Sequence, residues 1–523
     1  MKKSMKRLLA LVMTVFMLLP AATLFVDAAT TLDLPIVYVA GKYAHIYTKE
    51  ATKEDSRYQL YPLKPALGDT IEDHFNELLA AYNASNSTGN WKTFADKIYD
   101  VIAPRYAPLV MDDNGNPRNG THVIAVAEPK KKTSNFKLED YMFTYDSRLD
   151  PYTNAALLNT YITKVLSATG AKKVNLIGRC LGNTVVSTYL TEYVQRQKKN
   201  TVESVIFYAS AFNGVYMMDG FFTGDIDIDY QMMQYYLQHG RDPGDEGSDF
   251  DTIYKIADVF SKLGLLGVGI NKINQVIEKM APYLFPRLIL AIFGTWPGHW
   301  AMISSGAYEK AKAVTLQDTN KYAGLIKKVD KYQTNVMAKF PQTLETLRKN
   351  GLRIAIVCKY NTPLIPLSPN SDMQADGTVE LKTMSLGATA ANIGKTLSSA
   401  YLRVLRNGKN DGYLSKDLVI DAHTCQYPDY TWFIKNCPHA EYPPEINTMF
   451  MEIFHSSKQY TIKTNSKYPQ FVSYDTSTKK ISPVTGPDSG ADISSGFNTA
   501  FFARFTEWIR NFLARILGMF INR

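Results

Sequence analysis

Residues 174–182, VNLIGRCLG, place a cysteine between two glycines at the end of a short apolar run. A helix-compatible segment follows, through Val194. That layout is a nucleophile elbow, in which a strand turns sharply into a helix and lifts one side chain above the sheet edge. Gly178 and Gly182 answer a steric demand, because side chains two positions from the nucleophile crowd the turn. Cys180 would then be the nucleophile, attacking an acyl carbonyl as its thiolate. The turn also aims backbone N–H groups, that of Leu181 among them, at the carbonyl oxygen as it becomes negative. Cysteine between glycines is common by chance; its place between a strand and a helix gives it weight.

Such a site needs three more parts. A second oxyanion donor comes from the loop after an early strand, where Ala40-Gly41-Lys42 offers the Lys42 N–H. Gly41 equally suits an ordinary turn. An acid follows a late strand. Asp376 fits best, since Gly377 permits the turn that aims a carboxylate back, with Asp372 in reserve; either also suits a surface acid. A histidine comes later still, giving the order nucleophile, acid, histidine. His423, His439 and His455 lie beyond Asp376. His439, in NCPHAEYPP, follows a strand-like TWFIKN and precedes a loop. His423 is the reserve, and His455, in the helix-like MFMEIFH, suits packing. In this arrangement His439 takes the Cys180 proton, Asp376 orients the imidazole, and a thioester forms and is released to water or another acceptor. The chemistry requires no metal or cofactor, and no His/Cys/Asp cluster has zinc spacing.

The elements that position these residues alternate in type. Apolar runs at 34–41, 121–127, 141–145, 174–177, 204–209 and 352–360 read as strands. Helical spacing at 150–170 has Asp150 to cap it and Gly170 to stop it. The alternation predicts an α/β fold with a mostly parallel sheet. Residues 213–351 interrupt it with a helical pattern rich in Met, Tyr, Phe and Leu. They read as a cap or lid inserted into the core, or as a separate domain docked elsewhere. The core is thereby split into residues 29–212 and 352–483. A Gly/Ser/Asp-rich linker over 484–496 leads to a tail helix over 497–523. Phe501, Phe505, Trp508, Phe512, Ile516 and Phe520 share one face of that tail, opposite Arg504, Arg510 and Arg515. Such a face suits a helix lying in a membrane interface, or one packing on protein.

The N-terminus reads as a signal peptide: MKKSMKR, an apolar run, then Val26-Asp27-Ala28 as a processing site. A retained anchor is the other reading. Cleavage near Ala28 implies a secreted, extracellular protein. At 523 residues, 45% hydrophobic and 20% charged, the chain is globular rather than disordered. A net charge of +9, partly owed to the leader, favours anionic surfaces but is no nucleic-acid signature. Cys425 and Cys437 could close a hairpin as a disulfide outside the cell, or remain two buried thiols.

Together PIVYVAG, YMFTYDSRLDP, ATGAKKVNLIGRCLGNTVVSTYL, TWPGHWAMI and DGTVELKTMSLG resemble α/β-hydrolases of the lipase and lecithin:cholesterol acyltransferase-like group. The resemblance covers roughly residues 34–212 and 352–445. It implies the α/β-hydrolase fold, an ester or lipid-like substrate, and a lid over the acyl pocket at 213–351. The family's serine nucleophile falls on Cys180, its acid on Asp376, its histidine on His439 and its oxyanion loop on Gly41-Lys42. Cysteine in place of serine, and Asn183 where a small residue is common, depart from the pattern. The elbow is also similar to those of polyhydroxyalkanoate synthases and dienelactone hydrolases, which use cysteine. A synthase of that kind works inside the cell, against the export signal. A silent member of the fold, binding lipid or an envelope partner, is the alternative to an enzyme.

Overall fold

A computed structural model describes residues 32–41, 44–63, 73–227, 232, 270–364, 371–408 and 411–487. The leader, Lys42 and the tail lie outside them, as does all of the linker beyond residue 487. The strands are β1 (Ile36–Val39), β2 (Ile46–Tyr47), β3 (Gln59–Tyr61), β4 (Tyr141–Phe143), β5 (Val174–Arg179) and β6 (Val202–Tyr208). They continue with β7 (Arg353–Tyr360), β8 (Thr389–Ala390), β9 (Ile420–Asp421), β10 (Thr431–Lys435), β11 (Phe471–Asp475) and β12 (Lys480–Pro483). Eight of them form one sheet in the order β12-β11-β10-β7-β6-β5-β1-β4. Only the β11–β12 pair in it is antiparallel. The expected α/β class with a mostly parallel sheet is what the chain adopts.

Apolar side chains on both faces explain the continuous runs, because a parallel sheet is buried on both sides. In β6, Val205 and Phe207 enter one core cluster and Ile206 and Tyr208 the other. The first core holds the helix Pro151–Thr169 through Leu158, Ile162 and Val165. The second holds the helix Glu445–His455 through Met449, Phe450 and Ile453. The former helix begins where expected: the Asp150 carboxylate accepts from the Tyr152 and Thr153 N–H groups, and Gly170 ends it at φ 73°.

The run at 121–127 does not form the expected strand. Beyond a bridge between His122 and Tyr47, it pairs with nothing among the described residues. The Thr121 hydroxyl and carbonyl instead receive the buried Arg148 guanidinium, so tertiary contacts override β-propensity there. The described part of 213–351 is helical, with Tyr216–Thr223, Ile270–Ile292, Pro297–Trp300, Tyr308–Thr315, Ala323–Asn335 and Phe340–Lys349. It leaves the sheet after β6 and returns at the adjacent, parallel β7. No helix among the described residues is long and apolar enough to cross a membrane.

Two of the sequence motifs exist to hold each other. In YDSRLDP, Arg148 is fully buried, pairs with Asp146 at 2.7 Å and donates to Thr121 Oγ1 at 3.0 Å. The TWPGHW turn docks on that loop. Gly298 N–H donates to the Arg148 carbonyl at 3.1 Å, and the Trp296 indole N–H to the Leu109 carbonyl at 3.0 Å. A Cβ at Gly298 would sit 1.9 Å from the Ser147 carbonyl oxygen, so no other residue fits there.

Candidate active site

The elbow is built as its glycines require. β5 ends at Arg179, Cys180 takes φ 48°, and the helix Gly182–Tyr189 begins two residues on. A non-glycine residue in the left-handed region is strained, and such strain clusters at functional turns. Two hydrogen bonds hold the turn, Cys180 N–H to the Tyr208 carbonyl at 3.1 Å and Asn183 N–H to the Cys180 carbonyl at 3.0 Å. A Cβ at Gly182 would lie 2.6 Å from the Val39 carbonyl oxygen. At Gly41 it would lie 2.3 Å from the Arg179 carbonyl oxygen and 2.8 Å from Cys180 Cβ. Gly178 is less constrained, with Val186 Cγ2 at 3.2 Å as its nearest contact. The loop after β1 therefore presses directly on the elbow, and Gly41 is more than an ordinary turn residue. Asn183 ties the helix to the loop after β6 through the Ala211 carbonyl at 3.4 Å.

Asp376 lies just beyond β7, bridged to Thr362, and is fully buried. Gly377 follows at φ 94°, folding the chain so that Asp376 Oδ1 accepts from Thr378 N–H at 3.0 Å and Val379 N–H at 2.8 Å. The other oxygen, Oδ2, meets His439 Nδ1 at 2.6 Å. A carboxylate only accepts, so Nδ1 carries the proton. Asp376 leaves the second ring nitrogen free for a partner, and the His439 imidazole is the side chain that acts most strongly on the Cys180 thiol. The Leu181 backbone N–H contributes to lowering the same thiol. Cys180, Asp376, His439 and Leu181 thus converge from positions up to 259 residues apart in the chain.

The electrostatics favour charge separation. Burial raises the Cys180 thiol, but the facing His439 and its hydrogen bond outweigh burial and hold it below its ordinary value. Burial disfavours the His439 imidazolium, yet Asp376 and then Cys180 more than offset this, and the ring titrates above its ordinary value. Asp376 is depressed: burial works against it, and His439 and then Lys359 prevail. The other three cysteines are buried free thiols, so Cys425 and Cys437 do not form the disulfide. Burial pushes Cys437 up to about 11 and Cys425 up to about 12, and raises Cys358 well above its ordinary value.

The reserve residues lie elsewhere. Asp372 is bound to the Asn392 side-chain amide and, by its carbonyl, to Ile393 N–H. His423 is exposed and packs against the Tyr413 ring. His455 ends the helix Glu445–His455.

Two cations that sequence reasoning passed over hold the histidine loop. Lys359, buried on β7, donates to the carbonyls of Pro438 at 2.9 Å, His439 at 2.8 Å and Glu441 at 2.6 Å. Arg179, beside the nucleophile, donates to the His439 and Ala440 carbonyls, both at 3.1 Å. Both lie over the Tyr208 ring, Lys359 at 4.9 Å and Arg179 at 5.7 Å. The available signal was a lysine inside the apolar run LRIAIVCKY, since a charge in a buried strand needs partners.

A carboxyl pair joins the insertion to this framework. Glu380 accepts from Tyr216 N–H at 2.6 Å at the start of the first insertion helix. Asp219, one turn on, accepts from Ser304 N–H at 2.7 Å. Burial lifts Glu380 to about 8, with Asp219 and Asp376 adding to the rise and two backbone hydrogen bonds opposing it. Burial lifts Asp219 to about 6. A carboxyl whose folded pKa is raised stabilises the fold fully below its unfolded value near 4.5, and the contribution is lost as pH rises towards 8. Glu380→Gln should therefore match the wild type in thermal unfolding at pH 4. At pH 8 it should exceed it by on the order of 2–4 kcal/mol.

No protein-family model and no curated protein sequence matches this chain.

Proposed function

We propose that this chain is a secreted acyl-transferring enzyme of the α/β-hydrolase fold, an esterase, lipase or acyltransferase of the lecithin:cholesterol acyltransferase-like kind. The observation that carries the reading is the convergence on Cys180. A strained elbow presents the sulfur, and His439, paired at 2.6 Å with the buried Asp376, stands beside it. Nucleophile, acid and histidine follow the parallel strands β5, β7 and β10, the chain order of that fold. This reading takes the helices between β6 and β7 as a lid, and the apolar tail at 501–523 suits a membrane surface.

The thiolate sulfur attacks the acyl carbonyl carbon, and the carbonyl π pair moves to oxygen. The Leu181 N–H and, after β1, the Lys42 N–H receive that oxyanion. Collapse expels the alcohol, which takes the imidazolium proton from His439, leaving a thioester on Cys180. His439 then removes a proton from water or an acceptor hydroxyl, which attacks the thioester. The acyl group departs as an acid or a new ester, and the thiolate–imidazolium pair is restored.

Incubation with p-nitrophenyl butyrate should release p-nitrophenol and add one butyryl group to the intact mass, removable by neutral hydroxylamine. Cys180→Ala should show neither. Turnover surviving in Cys180→Ala would remove the Cys180 reading, and neither p-nitrophenol nor adduct from the wild type would remove the enzyme reading and leave a binding protein.

A further inference from the structure

Tyr145 lies two residues beyond β4, and only 6 % of it is exposed. Its ring stacks on Phe143 at 5.9 Å, inclined by 16°. Its hydroxyl is buried and has no hydrogen-bond partner among the described residues. A buried hydroxyl left unpaired costs stability, and phenylalanine would give the same packing without that cost. The hydroxyl therefore needs an account that the folded protein alone does not supply.

The sheet register says where it stands. Val39 of β1 pairs with Phe143 on one side and with Gly178 on the other. Continued by two residues, that row reads Tyr145, Gly41, Cys180. Tyr145 and the nucleophile thus both follow the carboxyl ends of parallel strands, β4 and β5, with β1 alone between them. The residue between them is the glycine whose Cβ would touch Cys180 Cβ. With no side chain there, nothing from Gly41 stands between phenol and sulfur. The ionisable group that bears on Tyr145 is the Cys180 thiol itself.

We propose that Tyr145 is a further catalytic residue, whose phenolic O–H donates to the oxyanion formed when the Cys180 sulfur adds to an acyl carbonyl. The proposal rests on the acyl-transfer reading of the site. In this step the new S–C bond forms, the carbonyl pair moves to oxygen, and the O–H of Tyr145 stays intact as a donor. Burial and the Cys180 charge both hold the phenol protonated, as a donor must be. A donor already in place and unpaired in the resting enzyme gains its partner as negative charge develops, which is the condition for selective transition-state stabilisation.

The test compares two reactions of the same sulfur in Tyr145→Phe and the wild-type chain. Acylation by p-nitrophenyl butyrate passes through an oxyanion; alkylation by iodoacetamide is a displacement at carbon and does not. Tyr145→Phe should lower the acylation rate about 10²-fold, leave the alkylation rate within about twofold of wild type, and leave the melting temperature equal or higher. Equal acylation in both proteins would overturn the proposal while the site reading stands. A parallel fall in both reactions would overturn it too, by showing a structural role. An alkylated but never acylated wild type would overturn the site reading and this proposal together.

Discussion

Replacing His439 with alanine is expected to slow acylation of Cys180 by about 10²–10⁴-fold, the usual contribution of a positioned acid–base group. The direction follows from the balance of charges. In the intact site the imidazole is what brings the thiol below its ordinary pKa against the opposing effect of burial. Without it, burial remains, and the Asp376 carboxylate faces the sulfur uncompensated, which raises the thiol further. The fraction of thiolate at neutral pH then falls, and the leaving alcohol loses its proton donor. Pre-steady-state release of p-nitrophenol measures the effect. Asp376→Asn should share its sign, since the amide no longer fixes the ring's protonated nitrogen.

The second large effect is expected from Lys359→Met. The side chain nearly matches in length, so what is lost is charge and three hydrogen bonds to the loop carrying His439. Two opposing quantities decide the outcome. Removing a buried ammonium relieves its desolvation cost. Against that, the Pro438 and Glu441 carbonyls lose a charged donor, and hydrogen bonds to charged groups are each worth about 1.5–3 kcal/mol. Arg179 still serves the His439 carbonyl. The net expectation is a loss of about 2 kcal/mol in denaturant unfolding. A shift of the imidazole by about 1 Å would lower acylation about 10²-fold. A variant as stable and as fast as wild type would show that the loop holds its shape without the lysine.

These cations mark the boundary of what the sequence makes legible. The elbow is readable because its demands are local: an apolar run, a glycine on each side, a helix after. Asp376 and His439 are readable because each follows a strand at a place set by chain order. Lys359 reaches a loop 79 to 82 residues further on, and Arg179 reaches one 260 residues away. No periodicity records such reach. Tyr145 escapes for another reason, since a tyrosine after a strand looks like any core aromatic until its hydroxyl is found unpaired among the described residues.

One misjudged strand and one open pairing have a common cause. Residues 121–127 have strand-forming residues, but their one bridge is to Tyr47 and they join no ladder of the main sheet. Cys425 and Cys437 have hairpin spacing, but the structure buries both as free thiols. Cys437 packs with the helix Glu445–His455 under one face of the sheet, and Cys425 belongs to the opposite core. In both cases local composition allows what tertiary placement denies.

The thiolate–imidazolium pair is tested most directly by the pH dependence of Cys180 alkylation in the wild-type chain, followed residue by residue with iodoacetamide and peptide mass spectrometry. Cys180 should react with an inflection below the value of about 8.5 typical of a free thiol, while Cys358, Cys425 and Cys437 stay unmodified in the folded protein. An inflection at or above that value, or labelling of Cys180 no faster than of the buried three, would contradict the account.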